Sequence, residues 1–576
     1  MGRGNQLLSG YVRRRLRIKS FAVEQTAKNR SKRKKYLVGG ASVLLVVMVL
    51  LLVVSRNLNS WAEQKLQKQI ATQSKGLYSL ELDKLEVSLL AGSARLDSLR
   101  LVPHEAVWKQ LQKSSPAQAP ASISDLTAHR VQVQGISYIK LLFGGAFSLS
   151  SIQLDHPQWV LRQMKEDTTS QPLHKTVGEQ FRKMGINEIR VKDGAFRFKN
   201  KPGSQAELFS VSGVELEAEG IKLDSAAFQD TARAFYSKNI TAKVKEASFW
   251  LPNGNYKLKV GPLQASTQKR EFTLTRLKLI PLASAAQMSR KAGAAVTRFS
   301  VQVPELRLSN VDFGTLSRNS NVYIGSLVAY KPQVNAYKDG KNYPAKGSGL
   351  MPHDLVQKLT FGVNIRTAKV RDMYVRYEEL AEKAFKTGYV TGSNIDLTLT
   401  NLTNDKNLIS KKHPAVLKGS GLLMGKAPMQ ATIRLALLDP NGYHSMEGTI
   451  GKGYPAILNP MMEPSMFVRV KSGVLQRGTF KVELTKTSAQ GSMQLQYDDF
   501  KIDLLNKKEE KKKQGLGNKL KSLVANTVVL KSESEEDGKA PREGKIQVKR
   551  RSERSFLTYW KDCLANGVLS IIGAPM

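Results

Sequence analysis

From residue 76 to 506 apolar and polar residues alternate with period two, as in Tyr78-Leu80-Leu82, Ile240-Ala242-Val244, Tyr256-Leu258-Val260, Ile395-Leu397-Leu399, Ile433-Leu435-Leu437, Phe480-Val482-Leu484 and Met493-Leu495-Tyr497. Successive side chains on a strand point to opposite faces, so this pattern predicts strands with one apolar face and one polar face. Turn signals at Asn253-Gly254, Asp339-Gly340 and Gly144-Gly145 interrupt the strands at short intervals. The expected fold is mainly β: a long, elongated meander of antiparallel strands with few helices. Two dozen strands side by side would extend on the order of 115 Å at about 4.8 Å per strand. The apolar parity switches from Leu80-Leu82 to Leu85-Val87 and from Leu96 to Leu99-Leu101. A one-residue slip would turn the apolar set to the wrong face, so each switch predicts a bulge or a turn.

The pattern is duplicated. Gly76, Tyr78, Leu80, Leu85, Ser88, Leu96, Leu99, Leu101 and Pro103 recur without a gap as Gly254, Tyr256, Leu258, Leu263, Ser266, Leu274, Leu277, Leu279 and Pro281. Further matches follow in order. Val131-Gln132-Val133 recurs as Val301-Gln302-Val303, Ser151 with Pro157-Gln158 as Ser326 with Pro332-Gln333, and Val191-Lys192-Asp193 as Val370-Arg371-Asp372. Each copy also places a polar, helix-compatible stretch after its closing proline, His104 to Lys113 and Ala283 to Lys291. The repeat is too long for a common solenoid period, so one copy holds many strands.

Two segments depart from the strand pattern. Tyr36 to Ser55 carries no charge and is long enough to span a hydrocarbon core, with Tyr36, Leu44, Leu51 and the following Trp61 as anchor positions. Twelve Lys or Arg against the single acid Glu24 precede it in residues 1 to 35, which predicts a cytoplasmic N-terminus and an exported body. Near the other end, residues 507–551 read as a charged linker. Beyond it Phe556, Trp560, Cys563-Leu564 and Val568 fall at helical spacing, so the stretch 552–576 is an amphipathic helix that either closes the sheet or lies on a membrane surface.

The net charge of +41 raises a nucleic-acid reading. Its distribution argues against one. Eleven net positive charges flank the apolar run, the others alternate along strands, and neither a zinc-finger spacing nor an aromatic-rich RNA-binding signature is present. Lipid headgroups are the simpler partner for such a dispersed basic surface. The single cysteine, Cys563, excludes an intramolecular disulfide. No catalytic signature appears: the seven histidines are isolated in sequence, there is no phosphate-binding loop or nucleophile elbow, and the neighbouring acids Glu378-Glu379 and Asp498-Asp499 point to opposite faces of a strand. No catalytic residue, metal site or cofactor is expected, and the protein reads as a non-enzyme. Phe196, Phe198, Leu216, Phe249 and Leu258 are candidate groove-lining residues, with Trp159 and Trp250 beside them; ordinary core packing is the competing reading for each.

The apolar run, the blocks from Gly76 to Pro103 and from Gly254 to Pro281, the segments at Ser151 and Ser326, and the terminal Tyr497-Asp498-Asp499-Phe500-Lys501-Ile502 resemble the AsmA-like envelope proteins of Gram-negative bacteria. That resemblance implies an inner-membrane protein, single-pass, with a periplasmic β-rich body, related to bridge-like lipid transfer proteins whose curved sheet forms an apolar groove for acyl chains. The expected organisation is a basic segment 1–35, a transmembrane helix 36–55, a juxtamembrane segment 56–75, β copies 76–253 and 254–430, a C-terminal β unit 431–506, the linker 507–551 and the helix 552–576. Two functions follow as expectations. One is phospholipid handling along the groove for outer-membrane lipid homeostasis, with the inner membrane and an outer-membrane or envelope protein as partners. The other is a structural or assembly factor in outer-membrane protein biogenesis, without lipid cargo.

Overall fold

The structure, a computed structural model, describes residues 60–88, 91–136, 148–165, 174, 185–200, 207–252, 254–346, 349–505, 524–527 and 543–573. The basic segment, the apolar run with Tyr36, Leu44 and Leu51, the Gly144-Gly145 turn and most of the charged linker lie outside these residues. Among the described residues no helix is long and apolar enough to cross a membrane.

The chain is mainly β. In chain order its strands are β1 (Tyr78–Glu81), β2 (Lys84–Ser88), β3 (Ser93–Pro103), β4 (Ser122–Gln134), β5 (Ser148–Asp155), β6 (Gln158–Gln163), β7 (Gly185–Lys199), β8 (Glu207–Lys222), β9 (Asn239–Val244), β10 (Glu246–Trp250), β11 (Tyr256–Val260), β12 (Leu263–Ser266) and β13 (Glu271–Pro281). They continue as β14 (Thr297–Val311), β15 (Val322–Tyr330), β16 (Gln333–Asp339), β17 (Val363–Leu380), β18 (Gly388–Thr403), β19 (Ala415–Leu423), β20 (Ala427–Leu435), β21 (His444–Ile450), β22 (Val468–Leu484), β23 (Ser488–Leu505), β24 (Val524–Thr527) and β25 (Glu543–Lys549). The helices are α1 (Ser60–Gln73), α2 (Glu105–Ser114), α3 (Ser225–Gln229), α4 (Ala285–Ala292), α5 (Phe313–Asn319), α6 (Pro352–Gln357), α7 (Asn459–Met466) and α8 (Phe556–Ile572). Helices α2 and α4 occupy the two stretches that follow the repeated prolines, and Trp61 falls in the first turn of α1.

These elements form two compact units. The first comprises the described residues up to Trp250, with Gly261–Glu271 and Asp312–Asn321; the second comprises Leu251–Val260, Phe272–Val311 and the described residues from Val322 onward. In the first, β1 and β2 pair with β3, β3 with β4, β4 with β5 and β6, β7 with β8, and β8 with β9 and β10, all antiparallel. Strand β12, which belongs to the second copy by sequence, pairs with β9. In the second unit β11 pairs with β13, β14 with β15 and β16, and an antiparallel run continues from β17 through β23 to β25. Residues 543–549, inside the stretch read as a charged linker, thus form an edge strand whose Ile546 is wholly buried opposite Gly491.

The expectation of an all-antiparallel sheet is corrected at two equivalent places. Strands β5 and β6 both run parallel to β7, and β15 and β16 both run parallel to β17, so the sheet is mixed. Parallel neighbours require a crossover connection rather than a hairpin. The connecting segments after β6 and β16 are polar and rich in turn residues, which made them read as loops between antiparallel strands; the second contains α6.

The duplication is carried in backbone geometry. Tyr78 lies opposite Pro103 and Leu80 opposite Leu101; Tyr256 lies opposite Pro281 and Leu258 opposite Leu279. Left-handed residues recur at matching positions: Gly76 and Gly254 (φ 79° and 69°), Ser98 and Arg276 (53° and 52°), Gly135 and Asn310 (76° and 53°), His156 and Lys331 (48° and 49°), and Asp193 and Asp372 (48° and 54°). Three of these pairs lie where the apolar parity switches. Ser98 stands between Leu96 and Leu99, His156 between β5 and β6, and Asp193 at the register shift between β7 and β8. Each restores the apolar set to one face after an odd step in sequence. A β-branched residue is strained in the left-handed region by roughly 1–2 kcal/mol, so Asp193→Val is expected to lower stability by about that amount in urea titration, while Asp193→Asn remains within about 0.5 kcal/mol.

The core of the first unit is a set of cross-strand rows. Leu85, Leu96, Val131, Leu154, Val191, Leu216, Ala242 and Ala265 stand opposite one another from β2 through β3, β4, β5, β7, β8 and β9 to β12. Leu66 and Ile70 of α1 pack into the same cluster. Burying each such side chain contributes roughly 1.5–3 kcal/mol. A satellite cluster forms where Trp108 of α2 meets Leu77, Ala119, Ile123 and Met164, with its indole N–H donating to Pro120 O at 2.9 Å.

In the second unit Ile433, Met446, Val482, Met493 and Ile546 are buried, and α8 lies against β23 and β25. Its buried stripe is Tyr559, Cys563, Gly567 and Ile571, one turn apart, with Phe556, Trp560, Leu564 and Val568 half-buried at the margin. Of the two placements left open by the sequence, the helix therefore packs on the sheet. Small side chains at Cys563 and Gly567 let it approach closely. A Cβ on Gly544 would lie 2.5 Å from Gly567 O.

Candidate functional site

A second apolar row crosses the first unit: Leu80, Leu101, Leu126, Trp159, Phe196, Val211 and Ala247 stand in register on β1, β3, β4, β6, β7, β8 and β10. Beside it run Leu161, Phe198, Phe209 and Phe249 on β6, β7, β8 and β10. Aromatic residues at cross-strand positions are held by the pleat, which brings their rings together on one face.

Ring centroids are 4.8 Å apart for Trp159 and Phe196, 5.8 Å for Phe196 and Phe209, and 4.5 Å for Phe209 and Phe249. These are ordinary stacking and edge distances, each pair adding about 0.5–1.5 kcal/mol beyond area burial. Cover is uneven across the two rows, in which Ala247, Leu161 and Phe198 are buried. Leu80, Leu101 and Leu126 are buried, Trp159, Phe196 and Phe209 are half-buried, and Phe249 is 37% exposed. The Trp159 indole N–H is buried and has no acceptor among the described residues.

Of the candidate lining residues, Phe196, Phe198 and Phe249 thus come together on this face. Phe198 is buried in the adjacent row, and Leu216 sits half-buried in the Leu85-to-Ala265 row. Leu258 lies in the second unit, half-buried opposite Leu279. Sequence reading missed Phe209, the residue that joins Phe196 to Phe249; adjacent Leu208 blurs the alternation there, and only the register of β8 reveals its neighbours. Trp250 alternates to the other face from Phe249.

Titratable groups do not assemble into a reactive constellation. Histidines that are far apart in sequence do meet: His353 and His444 have ring centroids 5.5 Å apart, and His129 and His156 6.3 Å apart. His444 is wholly buried, and burial first of all pushes its pKa down to about 4. Its Nδ1–H donates to Gly442 O at 2.9 Å, fixing the ring, and its Nε2 accepts from Trp560 Nε1 at 3.0 Å, so Nε2 ties α8 to β21. Burial pushes the Cys563 thiol up to about 12, which leaves it a poor nucleophile. Glu378 pairs with Arg376 at 2.8 Å, and Glu379 accepts from the Tyr377 hydroxyl at 2.9 Å on the opposite face. Asp498 accepts from Gln476 at 2.8 Å, and Asp499 occupies a left-handed position at φ 48° in a shifted register of β23. No group of three metal-ligating side chains occurs among the described residues.

No protein-family model matches this chain, and no curated protein matches it.

Proposed function

We propose that this protein is anchored in a bacterial inner membrane by its apolar run and handles phospholipids along the apolar face of its periplasmic β body, as a non-enzyme serving outer-membrane lipid homeostasis. The observation that carries this reading is the aromatic row from Trp159 to Phe249. A sheet face that is apolar must be covered by protein or by something else apolar, and here four aromatic side chains remain partly exposed. Acyl chains fit such a face. The free Trp159 N–H supplies a donor for an acyl-ester oxygen, relieving a buried unsatisfied group worth roughly 1–3 kcal/mol. The duplicated strand unit supports the same reading, since each copy carries the alternation that gives a sheet one apolar face. In this account the headgroups stay in water, and an envelope protein receives or supplies the lipid.

The second reading, an envelope structural or assembly factor, is favoured by the second unit: the apolar face there is filled by its own side chains beneath α8, with Val482 and Ile546 wholly buried.

Photo-crosslinking in native membranes separates the two. With a benzophenone residue in the full-length chain at Phe196 or Phe249, phospholipid adducts are expected by mass spectrometry. With the same residue at Arg197, which is exposed on the opposite face, none are expected. Absence of adducts at Phe196 and Phe249, or equal labelling at Arg197, overturns lipid handling on this face.

A further inference from the structure

The second unit carries a concavity of ≈ 800 Å³ on the polar side of its sheet, crossing from β17 to β23. Its floor is built by residues two apart on each strand, so they share a face: Thr398 with Asp396 on β18, Lys418 with Ser420 on β19, Gln430 with Thr432 on β20, Glu447 with Thr449 on β21, Thr479 with Lys481 on β22, and Ser492 with Gln494 on β23. The residues between them, Gly419, Ala431 and Gly448, are small, and Phe480 is buried. Hydroxyls and amides therefore dominate, each able both to donate and to accept.

The acids are already engaged. Asp396 lies 3.5 Å from Arg371, and Glu447 lies 2.7 Å from Arg434. Lys418 and Lys481 have no acidic partner within ion-pair distance among the described residues. They belong to one cross-strand row, Lys369, Thr398, Lys418, Thr432, Glu447, Lys481, Ser492 and Lys545, that runs from β17 to β25. At about 4.8 Å per strand, Lys369 and Lys418 are on the order of 10 Å apart and Lys418 and Lys481 on the order of 14 Å apart. Positive charge thus recurs across the strands, with hydroxyl groups between and with the one acid of the row, Glu447, turned to Arg434.

We propose that this concavity binds an acidic oligosaccharide laid across the strands, with its anionic groups against Lys418 and Lys481 and its hydroxyls bonded to the Thr, Ser and Gln side chains between them. Charge complementarity and the hydroxyl-rich floor select this occupant. Nucleic-acid single strands bind sheets through exposed aromatic platforms, and this floor has none. A bilayer surface is too flat to follow a recess of this kind. The lipid-bearing face is on other strands, so this proposal stands independently of it.

The full-length chain would be titrated with a fluorescent heparin octasaccharide, with maltooctaose as the neutral comparison, at about 0.15 M salt and across a salt series. The double variant Lys418→Gln/Lys481→Gln is expected to bind the octasaccharide about tenfold more weakly or worse, with the slope of log affinity against log salt reduced by about two. Lys418→Arg/Lys481→Arg retains binding and shows that the strands still fold. The surface control Lys109→Gln/Lys192→Gln changes neither quantity. An unchanged affinity in the first variant, an equal loss in the control, or tighter binding to an oligonucleotide or to anionic phosphatidylglycerol vesicles that is lost with the same two lysines, overturns the proposal.

Discussion

Replacing Gly567 by valine is expected to destabilise the C-terminal unit by about 3 kcal/mol, read as a lower urea midpoint by Trp560 fluorescence. On helix propensity alone a substituted glycine gains up to roughly 1 kcal/mol, so the sign of the effect is decided by packing. A Cβ at Gly567 would lie 3.0 Å from Met493 Cβ and 3.0 Å from Ile546 Cγ1, a tight contact that its neighbours must yield slightly to accept. Valine adds two further carbons to a contact that is already tight, and overpacking of this kind costs about 1–3 kcal/mol, at times more. The variant Gly567→Ala should fall between the two, near neutral. If valine were tolerated without loss, α8 would not be docked on β23 and β25 as described.

Acidification is expected to weaken the same docking. The His444 ring has a pKa near 4 in the folded protein against an ordinary value of 6.5, chiefly because burial penalises its charged form. A base whose pKa is depressed on folding stabilises the native state fully above its unfolded value. That stability is lost as pH falls from 6.5 toward 4, because the unfolded chain takes up a proton that the native chain refuses. The full difference amounts to about 3 kcal/mol at about 1.36 kcal/mol per unit. His353 adds in the same direction: it too is buried, burial lowers its pKa, and its Nδ1 has no partner among the described residues. Arg550 further disfavours charge on His444, and Lys486 on His353, while Asp354 and Asp439 oppose this at His353. Protonating His444 would also remove the acceptor for the Trp560 N–H. Those two carboxylates have pKa values held below their usual 3.8, so their own loss of stability comes at lower pH. In His444→Leu the decline in urea midpoint between pH 6.5 and 4 should shrink markedly. A decline of the same size in that variant would assign the acid sensitivity elsewhere.

Strand positions, the repeat and the helix that closes the second unit were legible because they rest on local signals. Period-two alternation marks strands, and the odd step between Leu96 and Leu99 marks a left-handed residue at Ser98. What lay beyond reach were the features set by register. The parallel pairing of β6 with β7 is chosen by the crossover between them, and nothing in either strand's own alternation distinguishes parallel from antiparallel neighbours. The meeting of His353 with His444, and of Phe209 with Phe196 and Phe249, likewise depends on partners that strand order alone provides. Helix α8 shows an intermediate case. Its helical spacing was clear, but the face was misjudged by its large residues, since the closest approach is made through Cys563 and Gly567.

The candidate lipid face divides in the same way. Phe196, Phe198 and Phe249 were visible as apolar residues on strands, but a lining role and a core role produce the same alternation. The partial exposure of Phe196 and Phe249 beside the buried Phe198 and the buried leucines is a property of the fold, and it is this exposure that supports an acyl-chain surface.

The most direct measurement is the amount of phospholipid retained by the purified full-length chain and by its Phe249→Glu variant after exhaustive detergent exchange, quantified by mass spectrometry at matched protein concentration. The lipid-handling account predicts bound phospholipid on the unaltered protein and a severalfold lower amount on the variant, whose charge is placed on the exposed end of the aromatic row while the apolar run from Tyr36 to Ser55 is untouched. Equal lipid on both proteins would place all lipid at the apolar run and contradict a lipid-bearing β face.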